Sequence, residues 1–158
     1  MRIMRIIWVS LVAVWLGMPS VRAENPTPYS GMQVVATGQR FDVFYARLKA
    51  AIAENRMGIV AEACATCGAK SIGATIPGNR VVMIFQPAFA VRMLKASEAA
   101  GIEAPLRLYL TENSDGTAKL TYRLPSHVFG AYKVADLDTM AQELDRIVAR
   151  IVAQASGK

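Results

Sequence analysis

Cys64-Ala65-Thr66-Cys67 is the one motif in this sequence whose residue types and spacing spell a reaction. Two thiols separated by two residues are close enough to pair, and either one as a thiolate is a nucleophile. A strand end running into a helix start here would aim backbone N–H groups at a sulfur, and Lys70, one helical turn past Cys67, would add positive charge; both lower a thiol pKa. The pair supports two roles: a short-range structural disulfide, which is the default in an oxidising compartment, or a dithiol that exchanges electrons with a partner. A thioredoxin-like enzyme would place a strand and a helix between the motif and its proline, and Pro77 follows too soon after Cys67 for that. Position 68 is Gly rather than His, which excludes the usual covalent haem attachment. Two Cys and the single His127 leave a zinc site in need of a carboxylate or a partner chain, so neither a metal nor another cofactor is expected.

A second set is cationic. Arg107, Tyr109, Lys119 and Arg123 alternate along two strand-like segments and would gather an anionic ligand or partner over an aromatic floor; the alternative is a solvated sheet face or a dimer contact. His127, between Ser126 and Val128, has no G-x-S-x-G partner motif and reads as a partly exposed loop histidine. Asp115 is explained by turn chemistry. Met83, Met93 and Met140 with Phe85 and Phe89 read as core.

The elements that must position these residues follow from periodicity. Met32–Thr37 is a short β-prone run, and Phe41, Phe44, Tyr45, Leu48 and Ile52 then form a helical stripe that Gly58 stops. Ile59–Cys64 reads as a buried strand, Ala65–Arg80 as a loop with a Pro77-Gly78-Asn79 turn in which Gly78 takes positive φ, and Val81–Phe85 as a strand. Pro87 opens a helix through Ala100 that Gly101 ends. Leu106–Glu112 and Thr117–Leu124 alternate strictly around Asn113-Ser114-Asp115-Gly116, which spells a hairpin. Asp136 then caps a long helix carrying Leu137, Met140, Leu144, Ile147, Val148, Ile151, Val152 and Ala155 at 3.6 spacing. The order β-α-β-(loop)-β-α-β-β-α predicts an α+β fold of two layers, a curved and mostly antiparallel sheet with helices on one face.

The first 23 residues read as an address. Arg2 and Arg5 precede the apolar run Ile6–Leu16, too short to span a membrane comfortably, and Gly17, Pro19 and Ser20 lead to Val21-Arg22-Ala23. This is a secretory signal peptide with its cut between Ala23 and Glu24, followed by a tether over 24–31 and a single domain over 32–156. No cysteine lies near the cut to carry a lipid, so no stable membrane anchor is expected and the location is periplasmic or secreted. The full chain of 158 residues has 18 Lys and Arg against 12 Asp and Glu, net +6. Arg2, Arg5 and Arg22 leave with the signal and no acidic residue does, which brings the net charge to +3 and removes both tryptophans, Trp8 and Trp15. A modest charge on an exported domain argues against a nucleic-acid partner. The absence of any repeat excludes a solenoid.

The block Ile76-Pro77-Gly78-Asn79-Arg80-Val81-Val82-Met83-Ile84-Phe85, the helix with Phe89-Ala90-Val91-Arg92-Met93-Leu94, the Phe41-to-Ile52 stripe and Ala104-Pro105-Leu106-Arg107 together resemble the domain-of-unknown-function family DUF302. The resemblance implies half of a TATA-binding-protein-like fold and a homodimer, with no reaction and no catalytic residue to carry over. Many relatives have Asn-Pro where this chain has Gln86-Pro87, and the Cys pair is not a family feature. The leading expectation is therefore a non-catalytic, dimeric binding protein for a small molecule or periplasmic protein, using the hairpin face or the cleft beside Thr75–Asn79. The alternative is a thiol-disulfide redox protein using Cys64 and Cys67.

Overall fold

The two periodicities in the sequence meet as two layers in the computed structural model, which describes residues 29–158. The expected signal peptide, its expected cut between Ala23 and Glu24, and most of the expected tether lie outside the described residues. Five strands, β1 (Met32–Arg40), β2 (Gly58–Cys64), β3 (Asn79–Phe85), β4 (Leu106–Glu112) and β5 (Thr117–Arg123), form one sheet in the order β1-β5-β4-β3-β2. Every neighbouring pair is antiparallel. Because successive strand residues point to opposite faces, Val82, Ile84, Leu108, Leu110, Ala118 and Leu120 all face one way. They are buried there beneath α1 (Phe41–Glu54), α3 (Pro87–Ala96) and α5 (Ala135–Ser156).

The helix α1 buries Phe44, Leu48, Ala51 and Ile52, and α5 buries Leu137, Met140, Ala141, Leu144, Ile147, Val148, Ile151 and Ala155. Both are stripes at i, i+3, i+4 and i+7 spacing, as a helix lying on a sheet requires. The core holds no buried charged or polar residue among those described. The carbonyl of Gly116, in the hairpin turn, accepts from the Phe41 N–H at 3.1 Å and so supplies an N-terminal partner that the Arg40 side chain does not. Gly157, with φ +74°, ends α5 as its backbone turns back to bond the carbonyl of Gln154.

Several expectations change. The Ala65–Arg80 loop contains a seven-residue helix, α2 (Ala65–Ser71), and the segment around His127 is another, α4 (Pro125–Gly130), which buries Pro125 and Phe129 against α5. The strand expected to be buried, β2, is an edge strand with mostly exposed side chains, because its apolar run alternates with nothing to cover its outer face. The third helix stops at Ala96 and gives way to a 3-10 turn, Ala99–Glu103, so Gly101 is not a left-handed stop. Asp136 lies in the first turn of α5, whose N-cap is Val134. Gly78 does not have positive φ; glycine is needed there because a Cβ would come within 2.9 Å of the Phe41 ring and 3.0 Å of Glu112 Oε2.

Candidate functional site

The edge strand β2 ends on Cys64, and α2 begins at the next residue. Cys64 occupies the N-cap, its sulfur accepting the Cys67 N–H at 3.1 Å. This short turn brings the two Cα atoms to 5.2 Å, and Cys64 and Cys67 stand as a disulfide pair. Cys67 is exposed and Cys64 half-buried.

The β2–β3 register then dictates what lies beside the sulfurs. Cys64 pairs with Arg80, and Arg80 shares its face with Val82 and Ile84, so its side chain points to the helix side, where Glu62 and Cys64 also point. One guanidinium nitrogen of Arg80, Nη2, lies 3.3 Å from Cys64 Sγ and 3.9 Å from Cys67 Sγ. The other, Nη1, donates to Glu62 Oε2 at 2.7 Å and to the Tyr45 hydroxyl at 3.0 Å. Tyr45, from α1, donates to the Glu62 carboxylate at 2.7 Å, and its ring centroid is 4.4 Å from the Arg80 guanidinium and 4.5 Å from Lys49 Nζ. A cation over an aromatic face is attracted by the ring quadrupole, so Tyr45 holds Arg80 in two ways.

The charge states follow from these contacts. Burial pushes the Glu62 carboxyl up, but the hydrogen bonds from Tyr45 and Arg80 and the charges of Arg80 and Lys49 together hold it below its ordinary value. Burial, joined by the hydrogen bond to Glu62, raises the Tyr45 phenol against the pull of Arg80. The cluster is thus a neutral phenol, a carboxylate and a guanidinium aimed at sulfur. Arg80 Nε is shut away from solvent with no hydrogen-bond partner among the described residues. Thr66, inside the Cys motif, donates to the Pro77 carbonyl at 3.1 Å and accepts from the Asn79 N–H at 2.8 Å, tying α2 to the start of β3.

Tyr45, Glu62 and Arg80 escaped the sequence reading, which looked to Lys70 for the cation; Lys70 is exposed on α2, and Arg80 reaches the sulfurs instead. A signal was present: Arg80 occupies the inward parity of a strand whose next inward residues are Val82 and Ile84.

The hairpin residues all fall on the uncovered face, as their alternation required. Arg107, Tyr109 and Arg123 line a cavity of about 140 Å³ together with Tyr29, Thr121 and Glu103. Glu103 Oε2 is 3.7 Å from Arg123 Nη2, and the Tyr109 hydroxyl accepts from Asn79 Nδ2 at 2.7 Å. Lys119 pairs with Thr111 toward the other end of the hairpin and does not line the cavity. His127 is exposed on α4, and the Thr75–Asn79 loop is pinned by Glu112 Oε2, which accepts from Gly78 N at 2.6 Å.

An open five-stranded antiparallel sheet with helices on one face defines a two-layer α+β domain. Residues 33–155 match the family profile described as "Domain of unknown function DUF302", and the chain belongs to that family. A crystal structure titled as an uncharacterized conserved DUF302 protein from Bacillus stearothermophilus is similar, with TM-score 0.71 and 16% identity over 80% of this chain and 98% of that one. At that identity the likeness speaks to the fold. A comparison with curated proteins finds no match.

Proposed function

We propose that this chain is an exported thiol–disulfide protein whose Cys64–Cys67 pair accepts electrons from a partner dithiol. The observation that carries the reading is the Arg80 guanidinium at 3.3 and 3.9 Å from the two sulfurs, clamped there by Glu62 and Tyr45. A disulfide is neutral and a weak acceptor, whereas a thiolate beside a fixed cation is strongly favoured; the cluster therefore stabilises the reduced state. The partner dithiol is oxidised to a disulfide as the Cys64–Cys67 bond takes up its two electrons.

A purely structural bond explains less. Closing so short a loop constrains the unfolded chain by only about 2 kcal/mol in the chain-entropy account. The segment it staples, α2, buries no residue, so the core gains little from its order. Export through the signal peptide of residues 1–23, into the periplasm or outside the cell, places the pair where disulfides persist. Equilibration with glutathione and dithiothreitol buffers tests the reading. A potential above about −300 mV, among working dithiols, is expected, and a lower value returns the pair to a structural role.

A second reading rests on the cavity of about 140 Å³ that Arg107, Tyr109 and Arg123 line. Two guanidinium groups and a phenol outweigh the single Glu103 carboxylate beside Arg123, and Arg107 with Tyr109 suits a small carboxylate or inorganic anion. Calorimetric titration with acetate and phosphate, compared between the wild-type protein and Arg107→Ala, tests it; equal heats in both reject it.

A further inference from the structure

On the redox reading above, we propose that the two cysteines have fixed and unequal roles: Cys67 is the sulfur that the partner thiolate attacks, and Cys64 is the one that leaves and rests as the thiolate. The assignment comes from three asymmetries. Cys67 is exposed while Cys64 is half-buried, so an incoming sulfur reaches Cys67 first. Cys64 Sγ has two donors at hand, Arg80 Nη2 at 3.3 Å and the Cys67 N–H at 3.1 Å, whereas Arg80 stands 3.9 Å from Cys67 Sγ. In thiol–disulfide exchange the sulfur of lower pKa leaves faster, and both donors favour negative charge on Cys64.

The exchange balances as follows. The partner thiolate forms a bond to Cys67 Sγ as the Cys64–Cys67 bond breaks with its electron pair on Cys64. The partner's second thiolate attacks the partner sulfur of this mixed disulfide, the partner's own disulfide closes, and Cys67 departs and takes up a proton. Two electrons have then passed to the Cys pair, and the second proton of the partner dithiol has gone to solvent. The charges facing the Cys64 thiolate come from three elements: Arg80 on β3, Glu62 on β2, and Tyr45 with Lys49 on α1. Glu62 and Tyr45 act through Arg80 and are positioning residues. Glu62 engages Nη1, which leaves Nη2 free for sulfur.

Two measurements test the assignment. Oxidised wild-type protein is mixed with glutathione, quenched early with acid and mapped by mass spectrometry; the adduct is expected on Cys67, and an adduct chiefly on Cys64 overturns the proposal. Thiolate absorbance is then titrated in the single-cysteine variants. Cys64 in Cys67→Ser should be more acidic than Cys67 in Cys64→Ser by about tenfold in its dissociation constant. Adding Arg80→Gln should weaken the acidity of Cys64 severalfold and leave Cys67 nearly unchanged, whereas equal acidities or a more acidic Cys67 overturn the assignment. A reduction potential below the working range defeats the redox reading while leaving the asymmetry measurable, and a working potential with the adduct on Cys64 defeats only the asymmetry.

Discussion

Arg80 pairs with Glu62 in both redox states, and its second nitrogen offers a charge that a neutral disulfide barely uses and a thiolate uses, so its removal should shift the redox equilibrium. Arg80→Gln is expected to lower the reduction potential by about 20 mV, the equivalent of a severalfold change in the exchange constant, because the reduced form loses its cation. The companion carboxylate predicts a pH dependence. Glu62 has a folded-state pKa below the ordinary value of 4.5, so its contribution to stability is present above that value and is lost as pH falls through the depressed one. Melting temperatures of the wild-type protein should therefore fall more steeply below about pH 4.5 than those of Glu62→Gln, and parallel curves would remove the ion pair from the stability account. Cys64 and Cys67 were legible as a pair because their spacing is local. Their neighbours Tyr45, Glu62 and Arg80 come from a helix and two strands, and only the β2–β3 register, which composition does not encode, places them together.

At the scale of elements, the hairpin was the most readable part. Leu106–Glu112 and Thr117–Arg123 were legible within one residue, since strict alternation and an Asn-to-Gly turn leave little freedom. Asp115 accepts from the Thr117 hydroxyl at 2.6 Å and its N–H at 2.9 Å, the turn chemistry that its position suggested. The two short helices were missed for one reason, that neither leaves a periodic apolar stripe in the sequence. α4 buries only Pro125 and Phe129, too few for a periodic stripe, and α2 buries nothing. The emptiness of α2 makes a prediction: replacing both Cys64 and Cys67 with Ser should destabilise the protein by no more than about 2 kcal/mol in urea. The far-UV circular dichroism should stay near that of the wild type. A loss of the cooperative transition would show that the bond holds more than its own turn.

For the whole molecule, the layer architecture was legible because each of the three longer helices, α1, α3 and α5, carries one apolar stripe and the sheet one apolar face. The strand order was not, since β1 pairs with β5 from the far end of the sheet-forming sequence and so leaves β2 at the opposite edge, a long-range pairing that local periodicity does not encode. Export and the homodimer are proposals that one measurement addresses together. Native mass spectrometry of protein recovered from its own host should show a chain beginning at Glu24, in pairs, with a mass that lacks residues 1–23 and with them Trp8 and Trp15. A monomer at micromolar concentration rejects the dimer, and a mass that includes residues 1–23 rejects the cleavage. The strand order has a practical consequence. The chain enters the sheet at Met32 on β1, and the sulfurs sit at the end of β2 on the opposite edge, four strand spacings or about 19 Å away. A dye, a bead or an electrode linker attached ahead of β1 therefore sits at the far edge of the sheet, which makes that end the natural handle for tethering this domain with its reactive sulfurs unobstructed.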